Sequence, residues 1–244
     1  MNASSRTPTI LATSGGLVRG RHTDLAPGPL LWHALALSGA RRPRLTYLGQ
    51  AGGDDKSFAG ALHEAFYGTD VDLTCVRLLP MPNVPDLRAH LLAADVIWVG
   101  GGSVAGLLAL WRLHGVDEIL RECWDAGVVL TGVSAGSICW HVGGTTDSYG
   151  PELRAVDNGL AFLPYSNGVH YDSEAQRRPL FQSLVADGTL PAGYATDDGV
   201  GLLYRGTELV EALRERRTDA AAYRVEPDGA GGATETRIEP RQLD

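Results

Sequence analysis

Gly127-Val128-Val129-Leu130-Thr131-Gly132-Val133-Ser134-Ala135-Gly136 runs from an apolar stretch through a G-x-S-x-G turn into a helix-like segment. A strand that stops abruptly and turns at once into a helix leaves its turn residue on a sharp, exposed bend. Small neighbours are needed there so that nothing clashes. A serine on the bend points its hydroxyl outward, among the first amides of the helix. Those amides are unpaired donors at the positive end of a helix dipole, suited to holding the oxyanion of a tetrahedral intermediate. The alternative is a small-residue turn that only packs strand against helix.

The residues upstream repeat the strand-then-helix rhythm. Thr9–Thr13, Leu45–Leu48, Val71–Leu79, Asp95–Val99 and Gly127–Leu130 read as strands. Pro29–Ser38, Ser57–Tyr67, Val84–Ala93, Val104–Leu113 and Val116–Ala126 read as helices. Strands alternating with helices of this length imply an α/β protein. The expected architecture is a three-layer, doubly wound, mostly parallel sheet with helices on both faces. The pattern changes after Trp140. Gly143–Gly159 is polar and turn-rich, Ser173–Ala186 looks helical, and Tyr194–Tyr204 and Ala220–Val225 look like strands around a turn, with Glu208–Arg214 between them. No repeat or linker divides the chain, so residues 1–226 read as one domain. Residues 227–244, rich in Gly, Pro and charge, read as a loosely ordered tail or loose terminal strand.

Composition narrows the class. Hydrophobic residues make up 44% of the 244, enough for a sizeable core. A net charge of −8 argues against a nucleic-acid partner. Arg214, Arg216 and Arg217 alternate with Glu211 and Glu215 and read as a solvated charged face. No run reaches a membrane span, and Met1-Asn2-Ala3-Ser4-Ser5-Arg6 lacks a hydrophobic signal core, so a cytoplasmic protein is expected. The three cysteines, Cys75, Cys123 and Cys139, are widely spaced, which excludes a disulfide framework or zinc site as the organising feature. Cys139 reads as a buried filler.

A serine nucleophile needs a base. Among the seven histidines, His33, His63 and His90 fall on early helices, His114 at a helix break, and His141 further along the Ser134 helix. His170 lies in the polar segment Ser166-Asn167-Gly168-Val169-His170-Tyr171-Asp172, the kind of loop where open parallel sheets place function. The base needs an orienting acid. Thr196-Asp197-Asp198-Gly199 interrupts an apolar strand pattern and sets two adjacent carboxylates on opposite faces. One can reach the site while the other faces solvent or caps the turn. Gly100-Gly101-Gly102-Ser103 also ends a strand and could bring a backbone N–H to the oxyanion. Its other reading is phosphate binding, but no ribose carboxylate stands at a strand end downstream and no G-K-[ST] follows. The pair Asp54-Asp55 reads as solvated.

Gly132-Val133-Ser134-Ala135-Gly136-Ser137-Ile138-Cys139-Trp140, the upstream Gly100-Gly101-Gly102, His170-Tyr171-Asp172-Ser173-Glu174 and Asp197-Asp198-Gly199 together resemble the peptidase E family. This family comprises serine peptidases that include aspartyl dipeptidase and cyanophycinase. The resemblance runs from about Asp95 to Tyr204 and implies a class I glutamine-amidotransferase-like fold. It implies Ser134 as nucleophile, His170 as base and Asp198 in place of the family's usual glutamate, with Asp197 as the fallback. The amides of Gly102 and Ala135 would form the oxyanion hole, and Gly101, Glu174 and Arg177 would contact substrate. Serine rather than cysteine at the elbow argues against glutaminase chemistry. Aspartyl dipeptidases carry an arginine shortly after the histidine; Glu174 at that slot argues against strict Asp-X specificity. The implied protein is a monomer or homodimer that cleaves short peptides without metal or organic cofactor. An esterase, an isoaspartyl-type peptidase and a catalytically silent ligand-binding member are the alternatives.

Overall fold

Short aliphatic runs closed by Gly or Pro form strands, and longer segments with helical spacing form helices. The computed structural model describes residues 7–244, so the Met1–Arg6 stretch lies outside the described residues. The first half contains β1 (Thr9–Thr13), β2 (Leu17–Val18), β3 (Ala26–Pro27), α1 (Pro29–Leu37), β4 (Arg44–Leu48) and α2 (Lys56–Ala65). It continues with β5 (Asp72–Val76), α3 (Leu87–Leu92), β6 (Val96–Val99), α4 (Val104–His114), α5 (Val116–Asp125), β7 (Val129–Val133) and α6 (Ala135–Ile138). A 3-10 turn, Gln50–Gly52, bridges β4 and α2. The second half holds β8 (Gly143–Thr146), β9 (Arg154–Val156), β10 (Ser166–Gly168), α7 (Arg177–Ala186) and β11 (Gly193–Thr196). It ends with β12 (Val200–Arg205), β13 (Glu208–Arg214), β14 (Ala222–Pro227), β15 (Ala233–Ile238) and β16 (Arg241–Gln242).

The main sheet has eight strands in the order β16-β13-β12-β1-β7-β6-β4-β5. From β1 to β5 all neighbours are parallel, while β12 and β13 add antiparallel strands on the far side of β1. Side chains alternate between two helical layers, as the two-residue strand period requires. Val96 and Trp98 of β6 pack with Leu31 and Leu35 of α1 and Leu62 of α2. Ile97 and Val99, one residue out of phase, pack with Leu107 and Trp111 of α4 and Leu120 of α5. Helices therefore cover both faces. The carboxyl ends of β1, β4, β6 and β7 lie on one rim, where open α/β sheets bind ligands.

A second, six-stranded sheet, β15-β14-β11-β10-β8-β9, packs under α7 through Phe181, Val185, Tyr223 and Val225. Its middle strand is polar, which disguises it as a loop. Ser166 and Asn167 are fully buried but satisfied. Ser166 Oγ donates to Pro191 O (2.5 Å), Asn167 Oδ1 accepts from Ser137 Oγ (2.8 Å), and Asn167 Nδ2 donates to Tyr194 O (3.2 Å).

Residues 227–244, read as a loosely ordered tail or a loose terminal strand, form strands and are not a loose tail. β15 pairs antiparallel with β14, β16 extends the main sheet beside β13, and Leu243 packs with Leu11 and Leu213. The Gly-rich composition marks a tight hairpin. Asp228 Oδ1 accepts from Ala230 N (2.7 Å) and Gly232 N (2.8 Å), and Gly229 and Gly231 take positive φ. No helix among the described residues is long and apolar enough to cross a membrane.

Candidate active site

β7 lies between β1 and β6, and Ser134 is the first residue beyond it. Its N–H donates to Thr13 O at the end of β1 (3.1 Å), and its carbonyl accepts from Ser137 N (2.8 Å) and Ile138 N (3.0 Å). The bend puts Ser134 at φ 58, ψ −113, a combination outside the wells open to ordinary L-residues. The flanking glycines make the bend possible. A Cβ on Gly132 would stand 2.2 Å from Gly136 O, and one on Gly136 would stand 2.3 Å from Val99 O. Both obstacles are backbone and cannot swing aside. Gly136→Ala is therefore expected to destabilise by about 1–3 kcal/mol through overpacking and to lower activity by displacing Ser134. Urea unfolding and peptide hydrolysis measure the two effects; a variant with the parent's midpoint would refute the steric account.

The Ala135 and Gly136 N–H groups open α6 and have no hydrogen-bond partner within the described residues. Across the bend, Gly102 has φ 128, and a Cβ there would meet Ala51 O at 2.3 Å. A Cβ on Gly101 would stand 3.3 Å from Ser134 Cβ and 3.9 Å from Ser134 Oγ. The glycine turn after β6 thus brings bare backbone against the serine.

His170 follows β10 and is itself held at φ 53. Its backbone N–H donates to Ser14 Oγ (3.2 Å), which in turn bonds Thr196 Oγ1 (2.7 Å). The imidazole Nδ1 lies 2.5 Å from Asp198 Oδ1, and Asp198 N donates to Asp172 Oδ1 (2.9 Å). The Asp197-Asp198-Gly199 turn crosses from β11 in the second sheet to β12 in the main sheet. Its two carboxylates separate as adjacent residues must. Asp197 turns into the core, where Oδ2 accepts from Ala221 N (2.8 Å) and Tyr223 Oη (3.1 Å) and Oδ1 has no partner. Burial pushes its carboxyl above the ordinary range. The second carboxylate was expected to face solvent or cap the turn; it is buried instead.

The structure brings His170 and Asp198 into contact and sets them beside the elbow. His170, Asp198 and Val133, the residue before Ser134, line one cavity of about 290 Å³ with Ser14, Leu17 and Arg216. Ser134 Oγ makes no hydrogen bond within the described residues. Catalytic hydrogen bonds of this type are often long in a free enzyme and tighten around substrate. On the Gly101 side of the serine lies a second cavity of about 300 Å³, lined by Tyr47, Gly49, Gly52, Asp55, Phe58 and Gly101.

Other sequence expectations change. Arg177 is buried, with Nε 2.7 Å from Glu174 Oε2 and a further hydrogen bond to Thr145 O. It ties α7 to β8, and neither it nor Glu174 lines a cavity beside Ser134. Arg177, expected to contact substrate, has its guanidinium buried and bound to Glu174 and Thr145. The solvated reading is corrected for Glu215, while Arg216 is exposed as expected. Glu215 is buried, accepts from Gly16 N (3.4 Å) and has its carboxyl pushed up by burial, and both it and Arg216 line the His170 cavity. The signal was present in the strand period: Glu215 continues the inward parity of Leu213. Asp54, read as solvated, is buried and accepts from Gln50 Nε2 (2.8 Å), Leu78 N (2.7 Å) and Leu79 N (2.9 Å). Asp55 is exposed and caps α2 by accepting from Ser57 N (2.7 Å). His141 is fully buried, and burial lowers its pKa to about 4. Cys139 is the buried filler expected of it.

The chain is similar to known proteins in sequence and in fold. The model of Peptidase family S51 matches residues 10–212. An uncharacterized peptidase, YgaJ, of Bacillus subtilis (strain 168) is 40% identical over 216 residues, 88% of this chain and 91% of that protein. Peptidase E of Shewanella denitrificans is 29% identical over 133 residues, 51% of this chain and 56% of that protein. A solved peptidase from an acI-B1 Actinobacterium superposes with a TM-score of 0.67 at 14% identity, covering 97% of this chain and 96% of the other. A putative peptidase E from Listeria monocytogenes EGD-e gives 0.59 at 16% identity, covering 85% and 98%. The fold is that of the class I glutamine-amidotransferase-like proteins.

Proposed function

The chain belongs to peptidase family S51, and from that premise we propose that it is a serine peptidase cleaving short peptides, dipeptides above all, through an acyl-enzyme. Ser134 Oγ attacks the scissile carbonyl. His170 takes the hydroxyl proton on Nε2 and returns it to the leaving amine. Asp198 fixes the imidazole tautomer through Nδ1 and stabilises the imidazolium. The amides of Gly102 and Ala135 receive the oxyanion, and water then attacks the ester with the same histidine as base.

The observation that carries this reading is the 2.5 Å His170–Asp198 contact beside a serine held at positive φ on a strand-to-helix bend. Backbone strain of this kind persists only where the surroundings impose it, and it concentrates at reactive centres. The test is a fluorophosphonate probe with intact-mass readout. One adduct is expected on the parent and none on Ser134→Ala. An unlabelled parent would refute the nucleophile and favour a silent, ligand-binding member of the fold. Dipeptides, β-aspartyl dipeptides and nitrophenyl esters offered side by side separate the dipeptidase from the isoaspartyl and esterase alternatives.

A further inference from the structure

The two cavities flanking Ser134 differ in chemistry, and the difference orients a substrate. The His170 cavity holds the base that protonates the leaving amine, so the leaving residue belongs there. Arg216 on its wall is a cation suited to that residue's free carboxylate; of the two carboxylates in the same lining, Asp198 is paired with His170 and burial pushes the Glu215 carboxyl toward its neutral form. The opposite cavity shares Gly101 with the serine's surroundings. Its wall is aromatic: the Tyr47 ring lies 5.7 Å from Phe58 and 5.0 Å from Trp98, centroid to centroid. Gly49 and Gly100 leave room for that ring, since Cβ atoms there would fall 2.9 Å from Tyr47 Cε1 and 2.3 Å from Tyr47 Oη. Its one charged lining residue is the carboxylate of exposed Asp55. At about 300 Å³ it stands at the small end of ligand pockets, a size for one side chain rather than a whole peptide.

We propose that the Tyr47–Phe58 cavity seats the side chain of the substrate's first residue and selects bulky apolar or aromatic side chains over acidic ones. This rests on the serine-peptidase reading above. An apolar first side chain leaves water for an aromatic wall. An acidic one gains no cation there and meets Asp55, while the substrate's own ammonium, on the same residue, is drawn to it. The dipeptide zwitterion thus lies with its positive end toward Asp55 and its negative end toward Arg216.

The test measures kcat/KM on dipeptides sharing one second residue, with Phe, Leu, Gly or Asp first. Phe and Leu are expected to exceed Gly by about ten- to a hundredfold, the range that burying one large apolar side chain provides, and to exceed Asp by more. A Cβ at Gly52 meets nothing nearer than Gly101 O at 3.7 Å, so Gly52→Leu adds bulk to the cavity wall with no clash at its Cβ. It should lower the Phe-to-Gly ratio at least tenfold. Asp55→Asn keeps the helix cap, removes the charge and should raise the Asp-to-Phe ratio several-fold. If the parent labels with fluorophosphonate and cleaves dipeptides, but prefers Asp first or keeps its ratios in Gly52→Leu, the cavity assignment is overturned and the peptidase reading stands. If Gly52→Leu instead alters preference for the second residue, the orientation is reversed and the proposal fails. If Ser134 is unlabelled and no dipeptide is cleaved, both fall.

Discussion

Ser134→Ala is expected to lower kcat on a good dipeptide substrate by about 10³ or more, the scale on which triad nucleophiles act, while the denaturation midpoint stays near the parent's. The two effects separate because the hydroxyl makes no hydrogen bond within the described residues, so its loss leaves no buried partner unpaired. Alanine also suffers the same φ of 58 as serine. Ser134→Gly adds a second reading. It should be as inactive as the alanine variant yet more stable than it, because glycine alone occupies this backbone region freely. Strain there is of order 1–3 kcal/mol, and the greater freedom of glycine in the unfolded chain takes back about 0.4–1. Urea titration of both variants reads the difference. An alanine variant as active as the parent removes the nucleophile; equal midpoints for alanine and glycine remove the strain.

The main sheet and the elbow were legible because each carries a local signal. Continuous short apolar runs closed by glycine, such as Val96–Val99 before Gly100, mark strands buried on both faces, and the small residues around Ser134 mark a tight bend. The second sheet was legible only in part: Ala220–Val225 reads as strand-like and overlaps β14, but the sheet's centre does not show in the pattern. β10 is Ser166-Asn167-Gly168, and only partners distant in sequence, Ser137, Pro191 and Tyr194, turn those polar groups into a buried strand. The site divides along the same line. Ser134 and the aspartate pair stood out by type and spacing. Arg177 stood at a plausible position, yet its destination is set by Thr145 and Glu174, which no spacing rule connects to it. The aromatic cavity was invisible for a similar reason. Tyr47 and Phe58 are ordinary core residues by pattern, and only the glycines at 49, 52 and 101 leave space beside them.

Asp198→Asn is expected to lower kcat by about 10⁴, the loss seen when a triad carboxylate becomes an amide that favours the wrong imidazole tautomer. Stability should change little, because the Asp198 side chain is 50% exposed and its neighbour His170 retains its backbone bond to Ser14. Asp197→Asn should do the reverse: hydrolysis falls far less, and the change shows in stability against pH. The direction follows from proton counting. Burial raises the folded pKa of Asp197 above its unfolded value, so between the two the native state binds more protons than the unfolded one. Stability then falls as pH rises through that window. The contribution is fully present below the ordinary aspartate pKa of about 3.9 and is lost once pH passes the raised folded value. Parent minus Asp197→Asn stability, from urea midpoints across that range, should therefore decline with rising pH and then level off. A difference that grows with pH would contradict the buried-carboxylate account. Loss of hydrolysis in Asp197→Asn together with normal turnover in Asp198→Asn would transfer the acid's role to Asp197 and make the 2.5 Å contact with His170 incidental.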